Sequence, residues 1–164
     1  MLNVIFEDNH LLVVEKPVNI LSQGDNTNDD DMVNLLKKYL KEKYNKPGNV
    51  FVGLVHRLDR PVGGIMVFAK TSKAASRLSE QVRNKTFKKT YKAVIHGDMK
   101  KREDNLSDYL YKDKKTNMVS VVNKNHKDAK DAKLSYKTLA LSFCLRDWHW
   151  LCITPSALYC LTYA

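Results

Sequence analysis

Residues 56–70 read HRLDRPVGGIMVFAK, and this stretch determines the fold that the sequence predicts. Its second half, IMVFA at 65–69, is a short apolar run with the length and composition of a buried β-strand. Its first half contains Pro61, which fixes one backbone angle, and Gly63-Gly64, which permit close approach or positive φ. We therefore expect a turn that leads directly into an apolar strand.

The flanking sequence predicts more strands than helices. Asp30 or Asp31 can cap one helix, and Thr71 or Ser72 can cap a second. Because the strands do not alternate regularly with these helices, we expect an α+β fold with a mixed, largely antiparallel sheet and flanking helices. The first helix has apolar residues on one face at Val33, Leu36, Tyr39 and Leu40, and the predicted strands are 9–15, 50–55, 65–69, 90–96, 117–122 and 132–141.

Composition excludes several classes of protein. The chain has 164 residues, of which 43% are hydrophobic, with only 6 Gly and 4 Pro, which argues against disordered and collagen-like chains. No apolar run approaches the ~20 residues of a membrane-spanning helix. The amino terminus carries Glu7 and Asp8 where a signal peptide would be basic, so we expect a cytoplasmic protein with no membrane partner.

The charge of the chain is high and unevenly distributed. Lys+Arg number 28 against 18 Asp+Glu, a formal charge of +10, yet residues 1–36 contain seven acidic residues and a single basic one. Such asymmetry indicates a polyanionic partner, most often nucleic acid, although a merely Lys-rich surface would look the same. In the basic stretch 83–102, Phe87 and Tyr91 could stack on unpaired bases or belong to the core. We expect Phe87 to belong to the core, whereas for Tyr91 both roles, stacking on a base and packing in the core, are open.

Asp59 is the strongest candidate for chemistry, because it lies between Arg57 and Arg60 in a turn. If the segment is strand-like, Arg57 and Asp59 project to the same side, and Arg57 can keep the carboxylate ionised and oriented. An ionised, oriented carboxylate is what a nucleophile or general base requires. The alternative is an ordinary Arg–Asp pair that ties down a loop.

Metal and nucleotide cofactors find no support in the sequence. The five His residues are scattered, and Cys144, Cys152 and Cys160 recur every eight residues, which matches no usual zinc spacing. Gly63-Gly64 lacks the following Lys-Ser/Thr of a phosphate-binding loop. We therefore expect no cofactor and no metal.

Residues 142–164 differ in composition from the rest of the chain. They contain all three Cys and both Trp, Trp148 and Trp150, but only two charged residues, Arg146 and Asp147. Three explanations are open: a buried closing segment, an interface segment, or a stretch translated out of frame.

Three segments resemble the RluA family of RNA pseudouridine synthases. They are IFEDNHLLVVEKP at 5–17, HRLD at 56–59 with GIMVFAKT at 64–71, and KTYKAVIHG at 89–97, so that the resemblance covers nearly all of residues 2–141. It implies a mixed α/β catalytic domain and the isomerisation of uridine in structured RNA, ribosomal or transfer, without cofactor or metal. It further implies that Asp59 is the catalytic carboxylate, that Tyr91 packs against the target base, and that Arg57 neighbours the catalytic loop.

The sequence departs from this family after residue 141. The family continues with an Arg-x-His-Gln-Ile-Arg element whose arginine enters the active site, and this element is absent here. We therefore expect residues 1–141 to be a partial catalytic domain, truncated or frameshifted, and 142–164 to be an atypical tail. This predicts an unpaired sheet edge and weak or no activity, with a non-catalytic RNA-binding module or an inactive remnant as alternatives. No short motif in the sequence encodes the choice of RNA, the target uridine or the oligomeric state.

Overall fold

The computed structural model describes residues 2–25, 27, 29–96, 100–142 and 156–163. The chain divides into two compact units, 1–87 and 88–164, and all strand pairings within their two sheets are antiparallel among the residues described. The predicted α+β class is confirmed. The elements are β1 (Asn3–Glu7), β2 (Leu11–Lys16), α1 (Met32–Lys43), β3 (Gly53–Leu54), β4 (Gly64–Ala69), α2 (Ser72–Arg83), β5 (Lys89–His96), β6 (Glu103–Lys112), β7 (Val119–Val122), β8 (Lys130–Ser142) and β9 (Ser156–Tyr163).

The first unit packs a helix on a four-stranded sheet of order β1-β2-β4-β3. Strand β2 pairs with β4 from Leu11 opposite Ala69 to Lys16 opposite Gly64. Burial of each large apolar side chain contributes roughly 1.5–3 kcal/mol, so this core supplies most of the stability of the unit. The core side chains come from β2, α1 and β4 and include Leu12, Val14, Met32, Leu36, Leu40, Met66 and Phe68.

Both helices begin at residues that the sequence predicted as caps. Asp31 caps α1 by accepting a hydrogen bond from the backbone N of Asn34 at 3.1 Å. Thr71 caps α2 in the same way, through the backbone N of Ala74 at 3.2 Å. These bonds satisfy amide groups that have no partner inside the helix.

The second unit is a five-stranded sheet of order β5-β9-β8-β6-β7. Along β5 the side chains of Tyr91, Ala93 and Ile95 are partly buried, whereas Val94 is 70% exposed. The alternation predicted for this strand is therefore confirmed. The side chains of Leu110 and Tyr111 on β6 are also partly buried.

The expectation that part of the sheet has no strand to pair with is wrong, because β9 pairs with β5 on one side and with β8 on the other. Strands β5 and β7 are the edges of the described sheet. Residues 156–163 follow Pro155 and consist largely of Leu, Tyr, Thr and Cys, a composition that permits a strand. Most of the tail, including Cys144, Trp148, Trp150 and Cys152, lies outside the described residues.

Strands β1 and β6 were not predicted, and β3 was predicted to be longer than it is. A register shift between Val4 and Phe6 interrupts β1, and β6 carries polar residues at most positions, so neither has a clear apolar pattern. The run at 50–55 shortens to Gly53–Leu54.

Candidate active site

Asp59 lies on the loop between β3 and β4, at the edge of an open cavity of about 400 Å³. The backbone N of Val62 donates to the Asp59 carbonyl oxygen at 3.0 Å and closes a turn. Residues 21–25, in the chain after β2, also line the cavity. The carboxylate is exposed, so a ligand that enters the cavity can reach it.

A buried lysine attaches this loop to the chain after β2. Lys16 is fully buried, and its Nζ donates to the carbonyl oxygens of Pro17 at 2.9 Å, Ile20 at 2.7 Å and Arg60 at 3.2 Å. The backbone N of Asn19 donates to the same Arg60 oxygen at 2.8 Å. Burial lowers the pKa of Lys16, and the negative charge of Asp59 acts in the opposite direction. The carbonyl oxygen of Arg60, the residue after Asp59, is thus bound by both Lys16 and Asn19.

The glycine pair performs the two roles expected of it. A Cβ on Gly63 would lie 3.2 Å from Val18 Cγ1 and 3.4 Å from the Lys16 carbonyl oxygen, so a side chain there would require the Val18 side chain to shift by a few tenths of an ångström. Gly64 has a φ of 151°, a conformation that other residues rarely adopt.

The strand-like segment that would place Arg57 and Asp59 on the same side is not formed, because both residues lie on the loop between β3 and β4. Both side chains are exposed and line the cavity, but no ion pair joins them in the part of the chain that the structure describes. The reason is that the loop is a turn and not a strand, so residues two apart need not project to the same side. Arg60 instead pairs with Asp29 at 2.7 Å, with both side chains nearly half exposed.

His56 anchors the start of the loop. Its Nε2 accepts a hydrogen bond from the backbone N of Val67 in β4 at 3.1 Å. Its ring lies 5.5 Å from that of Phe87 with an interplanar angle of 40°. Phe87 is partly buried in this contact but does not belong to the core cluster of the first unit, so its expected place in the core is not confirmed.

Tyr91 lies in the second unit, on β5, with its side chain partly buried. The structure therefore brings Arg57 and Asp59 together in the first unit and places Tyr91 in the other. The second unit also has a cavity of about 1060 Å³ that sequence reasoning missed. Its lining includes Lys112, Lys114, Lys115 and Lys130.

Sequence reasoning also missed residues of the cavity around Asp59. Gln23 and Asp25 line it, and the hydrogen bonds of Thr27 lower the pKa of Asp25. Lys16 gave one signal, as the single basic residue in the acidic stretch 1–36, but no local pattern revealed its three carbonyl partners.

Among the residues described, no cluster of three or more His, Cys, Asp or Glu side chains could hold a metal ion. Neither α1 nor α2, the helices of the described chain, is long enough to cross a membrane.

Comparison with known proteins agrees with the fold. The chain matches the model of the RNA pseudouridylate synthase family over residues 10–157. It is 31% identical over 140 residues to tRNA pseudouridine synthase C of Vibrio cholerae, which is 85% of this chain and 54% of that protein. It is 35% identical over 94 residues to ribosomal large subunit pseudouridine synthase C of Buchnera aphidicola, which is 57% of this chain and 28% of that protein.

A solved structure of human RNA Pseudouridylate Synthase Domain Containing 4 superimposes with a TM-score of 0.74 at 20% identity, covering 98% of this chain and 58% of that one. The fold is therefore that of a pseudouridylate synthase catalytic domain. The chain belongs to the RNA pseudouridylate synthase family, and the resemblance to RluA-type enzymes is confirmed. It spans about a quarter to about half the length of the two curated relatives named above.

Proposed function

We propose that this chain isomerises uridine to pseudouridine in structured RNA, with Asp59 as the catalytic carboxylate and with an activity weakened by the absence of the Arg-x-His-Gln-Ile-Arg element. The observation that carries the proposal is an exposed carboxylate in a cavity, on a loop whose neighbouring residues are fixed by buried groups. Membership of a family whose members act on RNA supplies the reaction class. The formal charge of +10 suits a polyanionic substrate.

The reaction breaks the N1–C1′ bond of uridine and joins C1′ to C5 of the same base. C5 loses its hydrogen as a proton and N1 gains one, so the product is an isomer and no oxidant or reductant is needed. Asp59 either attacks C1′ or stabilises its positive charge, as carboxylates do in glycoside cleavage. The same carboxylate can help to move the C5 proton.

Tyr91 and Arg57 are proposed to contact the substrate. The target base must leave its stack to be reached, and an aromatic ring can replace the lost stacking. Tyr91 on β5 is our candidate for that ring. Arg57 lines the cavity and can bind a phosphate near the target nucleotide.

The substrate class follows the names of the relatives. The two bacterial proteins named above are described as acting on ribosomal and on transfer RNA. We propose that this chain acts on one of these RNAs, in the cytoplasm, where both are found. No cofactor is required by the isomerisation.

Substitution of Asp59 tests the proposal. Bulk ribosomal and transfer RNA labelled with tritium at C5 of uridine is mixed with an excess of the chain, and released tritium is measured. We expect Asp59→Ala and Asp59→Asn to slow the release at least about 100-fold. Asp30→Ala, which removes an exposed carboxylate outside the cavity, serves as the matched control.

Binding of the same RNA distinguishes the outcomes. Phosphate contacts dominate affinity, so the Asp59 variants should retain salt-dependent binding close to that of the parent chain. Binding without any tritium release by the parent chain contradicts the enzymatic proposal and favours an RNA-binding module. Release that persists in both variants contradicts the role of Asp59.

We also propose that residues 1–141 are the catalytic portion and that 142–164 form an atypical tail. The low charge of the tail supports this, while the pairing of β9 and the family match to residue 157 support a tail that belongs to the sheet. Sequencing the encoding DNA beyond codon 142 distinguishes a tail translated out of frame from a tail that is a native part of the sheet. A second reading frame that encodes Arg-x-His-Gln-Ile-Arg would identify the tail as out of frame.

A further inference from the structure

The hydroxyl group of Ser22 binds both polar backbone atoms of Leu58, the residue before Asp59. The backbone N of Leu58 donates to Ser22 Oγ at 3.0 Å, and Ser22 Oγ donates to the Leu58 carbonyl oxygen at 2.6 Å. Ser22 is 5% exposed and lies 36 residues earlier in the chain. One buried hydroxyl therefore fixes the two peptide planes around Leu58, and the second of these leads into Asp59.

This arrangement differs from the usual behaviour of a loop serine. Serine hydroxyl groups in loops commonly bond to backbone atoms a few residues away and stabilise local turns. Ser22 instead reaches another loop, and its Oγ also lies 3.7 Å from the Sδ atom of Met66 in β4. Its hydroxyl thus connects the wall of the cavity to the loop that carries Asp59.

The residues on both sides of Asp59 are attached to the same short segment. Ser22 holds Leu58, while Lys16 and Asn19 hold the carbonyl oxygen of Arg60. The backbone of Asp59 is therefore fixed before and after it, although its carboxylate is exposed in the cavity. Such support is what a reacting carboxylate needs, because a misplacement of about 1 Å can cost about 100-fold in rate.

We infer that Ser22 is a positioning residue, whose hydroxyl holds the Leu58 backbone so that the Asp59 carboxylate faces the reacting sugar. This inference rests on the proposed function. It predicts that loss of the hydroxyl frees the loop and slows the chemical step without weakening RNA binding, since Ser22 itself contributes no charge.

The experiment compares four variants of the full chain. Ser22→Ala removes the hydroxyl, and Ser22→Thr keeps it. Ser76→Ala is the matched control, because Ser76 is exposed on α2. Leu40→Ala is the stability control, because it removes a core side chain of α1 that belongs to neither loop.

Two readouts are needed, amide hydrogen exchange at Leu58 and tritium release at saturating protein. For Ser22→Ala we expect exchange at Leu58 about tenfold faster, release about 10- to 100-fold slower and RNA affinity within about twofold of the parent. Ser22→Thr should restore both exchange and release. Ser76→Ala should change neither, and Leu40→Ala should lower stability without the selective change at Leu58.

The outcomes separate this inference from the proposed function. Unchanged exchange at Leu58 in Ser22→Ala overturns the inference, as does faster exchange with an unchanged release rate. A release rate that falls no further than in Leu40→Ala also overturns it. If the parent chain releases no tritium, the proposed function fails, while the exchange at Leu58 still shows whether Ser22 holds the loop.

Discussion

The Nζ atom of Lys16 lies 3.2 Å from the carbonyl oxygen of Arg60, and this bond joins the end of β2 to the residue that follows Asp59. The two residues are 44 positions apart, and the lysine side chain is fully buried. A buried ammonium group is tolerated here because three carbonyl oxygens surround it and the charge of Asp59 is nearby. A group that maintains the fold therefore also supports the candidate catalytic loop.

Replacing Lys16 should destabilise the first unit. Lys16→Met keeps most of the aliphatic volume but leaves three carbonyl oxygens without their donor, at an expected cost of about 2–4 kcal/mol in the free energy of unfolding. Urea denaturation followed by circular dichroism measures this cost. Lys73→Met, at an exposed position of α2, should change the free energy by less than about 0.5 kcal/mol. Equal effects of the two variants would show that the buried bonds contribute nothing.

The stability of the first unit should depend on Glu7 at acidic pH. Burial by itself raises the pKa of Glu7, but hydrogen bonds from Lys43, Lys70, Tyr44 and Tyr39 outweigh it and lower the pKa to about 2. The Glu7 side chain is 8% exposed. Since an unfolded Glu titrates near pH 4.5, the contribution is complete above that pH and is lost as the pH falls towards 2.

Glu7→Gln tests this dependence. At pH 7 we expect a loss of about 2 kcal/mol in the free energy of unfolding, below the roughly 3 kcal/mol of the full pKa difference because the Lys43 partner is half exposed. The difference from the parent chain should shrink as the pH falls from 4.5 towards 2. Glu80→Gln, at an exposed position of α2, is the control. A difference that is constant with pH contradicts the prediction.

Gly53 should resist substitution because α2 packs directly against it. A Cβ at Gly53 would lie 2.9 Å from the Cβ of Ala75 and 3.2 Å from that of Ala69, both of which are attached to regular elements. We expect Gly53→Ala to cost about 1–3 kcal/mol by overpacking. Gly48→Ala is the matched control, since nothing lies within 4 Å of its Cβ, and thermal melting compares the two. Similar melting temperatures would rule out the close packing.

Tyr91 should matter for RNA if it stacks on the target base. Loss of one base–aromatic contact costs about 1–3 kcal/mol, so Tyr91→Ala should reduce tritium release at limiting RNA about 5- to 150-fold. Tyr91→Phe keeps the ring and should retain most of the activity. Val94→Ala is the control on the same strand, because Val94 is 70% exposed and alternates to the other face. A similar loss in Tyr91→Ala and Val94→Ala contradicts stacking.

Several features could be predicted from the sequence because their causes lie within a few residues. The caps Asp31 and Thr71, the turn at Gly63-Gly64 and the apolar strand that follows depend on local backbone preferences. The family resemblance rested on segments that are short and contiguous. Strands β1 and β6 were missed because their apolar pattern is interrupted or weak.

The sequence by itself determined the α+β class, the family and Asp59 as the candidate carboxylate. Only the tertiary structure decided which groups surround it. The partner expected for Asp59 from spacing was Arg57, but the groups that hold its loop are Ser22 and Lys16, 36 and 44 residues from their partners. Such contacts depend on how β2 and β4 pair and on the turn between β3 and β4, because a turn abolishes the alternation of side chains that the sequence argument assumed.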